Sequence, residues 1–127
     1  MLTTTNAFSG FAAPDLATER AFFADKLGIP VDEGEMGVLR LKLPGGGNVI
    51  VYTKPDHVPA TFTVLNFEVA DIDAAADQLV AAGISLERYE GFPQDEKGVM
   101  RDNGPSIAWF KDPAGNILAI IETGAAS

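Results

Sequence analysis

The sequence predicts an α+β fold in which one βαβββ module is used twice. Three observations predict it. A strand that runs through an aspartate into a glycine-ended helix occurs twice, as "SGFAAPDLATERAFFADKLGI" (9–29) and "LNFEVADIDAAADQLVAAGI" (65–84). The far ends of the two stretches also match: "GGGNVIVY" (45–52) and "PAGNILAI" (113–120) each carry a Gly-Asn turn into an apolar strand. Finally, the chain has 127 residues, 46% hydrophobic and 21% charged, which is enough for one soluble domain with a real core.

Each element has a local reason. "TFTVLNFEVA" (61–70) is rich in β-branched and aromatic residues, as strands are. Asp71 stands at the N-cap of the helix that follows, and Ile72, Ala75, Ala76, Leu79 and Ala82 recur at helical spacing before Gly83 stops it. In the first copy Asp15 is the N-cap, Leu16, Phe23 and Leu27 share a face, and Gly28 ends the helix. Strands are expected near 6–13, 30–34, 37–43 and 48–54, then near 61–69, 84–89, 105–111 and 116–122. The expected organisation is therefore a single domain of two tandem modules, 1–54 and 61–127, joined by the proline-bearing linker "PDHVPA" (55–60). Curved mixed sheets with helices on their outer side suit such a pair. The polar segment "EGFPQDEKGVMRDNG" (90–104) reads as a long mobile loop at a cleft rim.

Composition excludes several functions. The net charge is −9, with no Lys/Arg cluster of the kind that neutralises phosphate, so nucleic acid is not an expected partner. No stretch approaches the ~20 apolar residues of a membrane span. There is no cysteine, and "MLTTTNAF" lacks the features of an export signal, so a cytoplasmic protein is expected.

The doubled module, "DLATERAFFADKLGI" and "AWFKDPAGNIL" together resemble the vicinal oxygen chelate superfamily, which contains glyoxalases, bleomycin-resistance proteins and extradiol dioxygenases. The resemblance covers nearly the whole chain. It implies a metal site built from the first and last strands of each module. A histidine is implied seven residues before each helix-capping aspartate, and a glutamate three residues after each Gly-Asn position. Those positions hold Phe8, Val64, Val51 and Ala119, none of which can ligate a metal. The neighbours Ala7, Ser9, Thr63, Leu65, Ile50, Tyr52, Leu118 and Ile120 do not supply a ligand set either. A carboxylate site would have to draw on Glu68, Asp56 or Glu122, with His57 the sole histidine. No metal and no cofactor is therefore expected.

A wall of Phe8, Val51, Val64 and Ala119 is instead an apolar pocket. Strand alternation adds Phe62, Asn66 and Glu68 to the face of Val64, with Asn66 and Glu68 as polar groups that orient a ligand. Trp109 offers a stacking surface. The expected ligand-binding set is Phe8, Val51, Phe62, Val64, Asn66, Trp109 and Ala119. Leu65, Phe67, Val69, Leu118 and Ile120 fall on the opposite side, as core. Lys54, Arg88, Lys97 and Arg101 are candidates for holding an anion at the mouth.

The leading function is a metal-independent binder of an apolar, aromatic or cationic small molecule, as in the bleomycin-resistance branch, with a homodimer implied by the resemblance. The alternative is a glyoxalase-like lyase or isomerase, or a dioxygenase, working through His57, Tyr52 or Glu68.

Overall fold

The computed structural model of the chain describes residues 1–34, 37–101 and 104–123. It divides into two compact units, Met1–Val58 and Pro59–Ser127. Among the described residues no helix is long and apolar enough to cross a membrane.

In the N-terminal unit, β1 (Ser9–Ala13) leads into α1 (Leu16–Ala21), and β2 (Val31–Glu33), β3 (Leu39–Lys42) and β4 (Asn48–Thr53) follow. The sheet order is β1-β4-β3-β2, with β1 parallel to β4 and the other pairs antiparallel. Asp15 caps α1 by accepting the Ala17 amide at 3.0 Å and the Thr18 hydroxyl at 2.8 Å. The helix then widens into a π turn, Phe22–Lys26, closed by the Leu27 amide donating to the Phe22 carbonyl. Two adjacent rings of this turn face inward. Phe22 and Phe23 are both buried and meet edge to face at 5.2 Å, and Phe23 also lies 6.0 Å from Phe11. Val49, Val51, Leu39 and Leu41 complete this core.

In the C-terminal unit, β5 (Thr63–Val69) leads into α2 (Ile72–Ala81), and β6 (Ile107–Lys111) and β7 (Ile117–Glu122) follow in the order β5-β7-β6. Asp71 caps α2 through the amides of Asp73 and Ala74. Glu122 reaches from β7 to accept the Ile72 amide at 2.9 Å, tying the helix start to the sheet. Ile72, Ala75, Ala76 and Leu79 bury the helix face above Leu65, Leu118, Ile120, Ala108 and Phe110. No strand forms at 84–89. Its ladder with β6 stops after one bond, the Glu87 amide to the Trp109 carbonyl, because the Gln94 side chain takes the Glu87 carbonyl and the Tyr89 amide instead.

The two modules correspond in a register one residue away from the Gly-Asn match. Lys42 pairs with Asn48 across one hairpin, and Lys111 with Ile117 across the other. Each five-residue turn closes with the same two bonds. The Leu43 amide donates to Gly47 and Gly46 to Leu43; Asp112 donates to Asn116 and Gly115 to Asp112. "LPGGGN" (43–48) is therefore equivalent to "DPAGNI" (112–117), with Pro44 on Pro113 and Gly46 on Gly115. Asn48 corresponds to Ile117, and Ile50, not Val51, to Ala119. A one-residue slip in a strand turns every side chain to the other face.

Gly46 and Gly115 share a left-handed backbone, φ 96° and 86°. An added Cβ meets nothing at Gly46 but lies 3.2 Å from Pro59 Cγ at Gly115. Both Gly→Ala variants should lose about 1–2 kcal/mol to the backbone. Urea denaturation should show Gly115→Ala losing clearly more. Equal losses would mean that Pro59 yields freely.

Candidate functional site

Each sheet has one face under its helix and one open face, and register assigns every strand residue to one or the other. On the C-terminal sheet the open face carries Thr63, Asn66 and Glu68 from β5, Ile117, Ala119 and Ile121 from β7, and Ile107, Trp109 and Lys111 from β6. Asn66, Ala119 and Trp109 lie in one row across the sheet. A bulge between Thr63 and Leu65 breaks the alternation, so Thr63, not Val64, stands opposite Ile117. Val64 is a half-buried residue at that bulge, and Phe62 is an exposed residue just ahead of the strand. The expected face of Phe62, Val64, Asn66 and Glu68 thus reduces to Asn66 and Glu68. Leu65, Phe67 and Val69 take the helix side, as alternation predicts.

Trp109 and Ala119 are on the open face yet buried. Two aromatic rings explain the first. Tyr89 meets Trp109 edge to face at 5.5 Å, Phe92 lies 5.4 Å from Trp109, and Tyr89 and Phe92 are 5.6 Å apart. A turn closed by the Phe92 amide on the Tyr89 carbonyl holds these two rings side by side. Phe92 is 47% exposed, so the cluster presents aromatic surface to solvent. The Tyr89 hydroxyl is buried and has no hydrogen-bond partner among the described residues. Burial, helped by the nearby Glu87 carboxylate, holds the phenol above its ordinary value, so it stays protonated and available as a donor.

The segment 90–104, expected as a mobile loop, is tied down over its described residues. Gln94 is its clamp: Oε1 accepts the Tyr89 amide, and Nε2 donates to the carbonyls of Glu87 and Gly98. Asp95 accepts the amides of Lys97 and Val99, while Met100 and Ile107 exchange a pair of backbone bonds. Arg101 bridges Asp95 at 2.9 Å and Asp73 of α2 at 2.7 Å, and Lys97 reaches Asp77 at 3.3 Å. The Arg101 guanidinium holds Asp73 below the ordinary carboxylate value. Partial burial pushes Asp95 up, but the Val99 amide and Arg101 outweigh it and leave it lowered too. Arg88 spends its guanidinium on the Glu96 carbonyl. Arg88, Lys97 and Arg101 therefore brace this loop, and Lys54 pairs with Asp56 at 2.8 Å. None of the four stands free to hold an anion.

On the N-terminal sheet the open face carries Gly10 and Ala12 from β1, Asn48, Ile50 and Tyr52 from β4, Arg40 and Lys42 from β3, and Asp32 from β2. Phe8 stands beside this face, 62% exposed. Val51 does not. It pairs with Phe11 and Leu39 and is fully buried on the helix side, because the hairpin register differs from the Gly-Asn match. The expected wall of Phe8, Val51, Val64 and Ala119 is thus broken at two of its four members.

The donor set does not fit a metal. Ile50 and Ala119 occupy the open-face positions of the two closing strands, Asp56 is paired with Lys54, and Glu122 is committed to the start of α2. His57 is half-buried with an unpartnered Nε2. Among the described residues no group of three or more His, Cys, Asp or Glu is placed to hold an ion. Sequence reasoning missed Phe92 and Arg40. The signals were an isolated aromatic in a polar loop and the alternation of "LRLK", whose polar side reads as plain solvent.

Lowered carboxylates stabilise the fold above their unfolded value of 3.8 and lose that contribution as pH falls through the folded value. Amide-exchange protection at Lys97 and Val99 should therefore hold from neutrality to about pH 4 and fall in stronger acid. Arg101→Ala should weaken that protection already at pH 7, and unchanged protection would remove Arg101 from the brace. Tyr89→Phe deletes a buried hydroxyl without a partner, so urea denaturation should show it unchanged or up to about 1 kcal/mol more stable. A clear loss would mean the hydroxyl is satisfied in solution.

The chain has structural relatives throughout its length. A superfamily member from Sphaerobacter thermophilus DSM 20745 is 20% identical with a TM-score of 0.69, over 96% of this chain and 100% of that one. TnmS3, an antibiotic binding protein from Streptomyces sp. CB03234, is 18% identical with a TM-score of 0.67, over 97% and 100%. A lactoylglutathione lyase from Agrobacterium tumefaciens is 20% identical with a TM-score of 0.65, over 94% of each chain. At these identities the likeness is one of fold. No curated protein sequence matches. The family model of the Glyoxalase/Bleomycin resistance protein/Dioxygenase superfamily matches residues 7–120, and the chain belongs to that superfamily.

Proposed function

We propose that the chain is a metal-independent small-molecule binding protein, and that its ligand is a flat aromatic molecule, neutral or cationic. The observation that carries this reading is the cluster of Tyr89, Phe92 and Trp109 on the open face of the C-terminal sheet. Half-buried Ile107, Ile117 and Ile121 extend its apolar surface, and exposed Asn66 and Glu68 add polar groups on the same face. Rings attract cations through their faces, and Glu68 adds a full negative charge. The apolar open-face positions Ile50 and Ala119 support binding without a metal, and the likeness in fold to an antibiotic binding protein supports a binding role. We further propose a homodimer: β1 and β5 are edge strands, each with one neighbour in its sheet, and such edges pair readily between copies.

Trp109 is the only tryptophan, so its fluorescence reports on this site. A screen of flat aromatic cations and their neutral analogues should give saturable quenching and a raised Tm at constant ligand concentration, with no ligand consumed. Phe92→Ala, at a partly exposed position, should weaken binding about tenfold while leaving the fold intact. Turnover of the bound molecule, or binding indifferent to Phe92, would overturn the reading. Light scattering tests the dimer separately.

A further inference from the structure

The structural register sets Arg40 where the C-terminal sheet has Trp109. Arg40 faces Ile50 across β3 and β4, just as Trp109 faces Ala119 across β6 and β7. The open face of the N-terminal sheet therefore has a guanidinium at the place where its counterpart has an indole. The Arg40 side chain has no hydrogen-bond or ion-pair partner among the described residues, and it lines a depression of about 380 Å³.

The rest of that depression suits an anion attached to a small apolar body. Phe8 and Ile50 supply the apolar surface. Ile50 lies across β1 only because Gly10 has no side chain: a Cβ there would sit 2.9 Å from Ile50 Cγ1. Asn6 and Asn48 bring amide groups able to donate. The one carboxylate in the lining, Asp32, is engaged by Lys42 at 2.9 Å. Arg40 and Lys42 against Asp32 leave a formal charge of +1 in the lining, on a chain whose net charge is −9. An unpaired guanidinium matches the planar, two-oxygen geometry of a carboxylate better than any other common group.

We propose that this depression binds a small organic carboxylate, with Arg40 as the carboxylate-reading residue and Phe8 and Ile50 against the apolar part. The proposal rests on residues of the N-terminal sheet alone and does not depend on the function proposed for the aromatic cluster.

The test is a two-dimensional amide NMR titration of the full chain with benzoate and, separately, with its neutral analogue benzamide. Benzoate should give saturable shifts at Gly10, Arg40, Lys42 and Ile50, with affinity roughly tenfold or more above that of benzamide. Arg40→Gln, an exposed change expected to leave the remaining spectrum in place, should abolish that preference. Asn48→Asp, which puts a carboxylate in the lining, should weaken benzoate clearly more than benzamide. Equal affinity for the two probes, full benzoate affinity in Arg40→Gln, or shifts confined to other residues would each overturn the proposal.

Discussion

A strand side chain has two directions to choose from, and in each half of this chain a five-residue turn makes the choice. The turns Leu43–Gly47 and Asp112–Asn116 close with the same two backbone bonds and so set the register of the strand that follows. Everything on the open faces depends on that register. It places Ile50 and Ala119 in the rows with Arg40 and Trp109, and it sends Val51 and Ile120 under the helices. The second turn is reinforced where the first is not. Asp112 accepts the amides of Ala114 and Asn116 and the Asn116 side chain, with both residues buried. In the first turn Leu43 and Gly47 occupy those places and have no comparable side-chain bonds to offer.

On this shared frame the two open faces have diverged in chemistry. One carries a free guanidinium with asparagines and an exposed phenylalanine. The other carries a tryptophan roofed by two rings from the loop after α2. That roof is an electrostatic construction as much as an apolar one. Gln94 shapes the loop from within through three hydrogen bonds, while Arg101 and Lys97 fasten it to acidic residues of α2. These exposed ion pairs are individually weak. Their effect lies in joining one loop to one helix at several points, which keeps Tyr89 and Phe92 over Trp109.

The superfamily's fold is present here, and among the described residues no group of three or more His, Cys, Asp or Glu is placed to hold an ion. Hydrocarbon stands at the open-face positions of the closing strands, and of the three acidic candidates for a metal-binding set two are engaged in structure while Glu68 stands exposed on the open face. Glu122 caps a helix, and Asp56 holds a lysine. Fold and function separate cleanly in such a case: the module doubles as a core-forming unit, and its chemistry resides in whichever residues the open faces display.

By itself the sequence determined the doubled module, both helix N-caps, and the helix-side core of β5 and β7. These are local properties: an aspartate beside a helical repeat, alternation along one strand, the residue types present. Tertiary structure decided which residues meet. A bulge after Thr63 moved Val64 out of line, a one-residue difference in turn alignment took Val51 from the open face to the core, and Gln94 stopped a strand that 84–89 was expected to form. Arg40 and Phe92 became candidates only once cross-strand pairing and loop contacts were known. The physical reason is common to all of these. Side-chain direction in a strand has a period of two, so a single inserted or shifted residue reverses it, and pairing between distant segments sets that register.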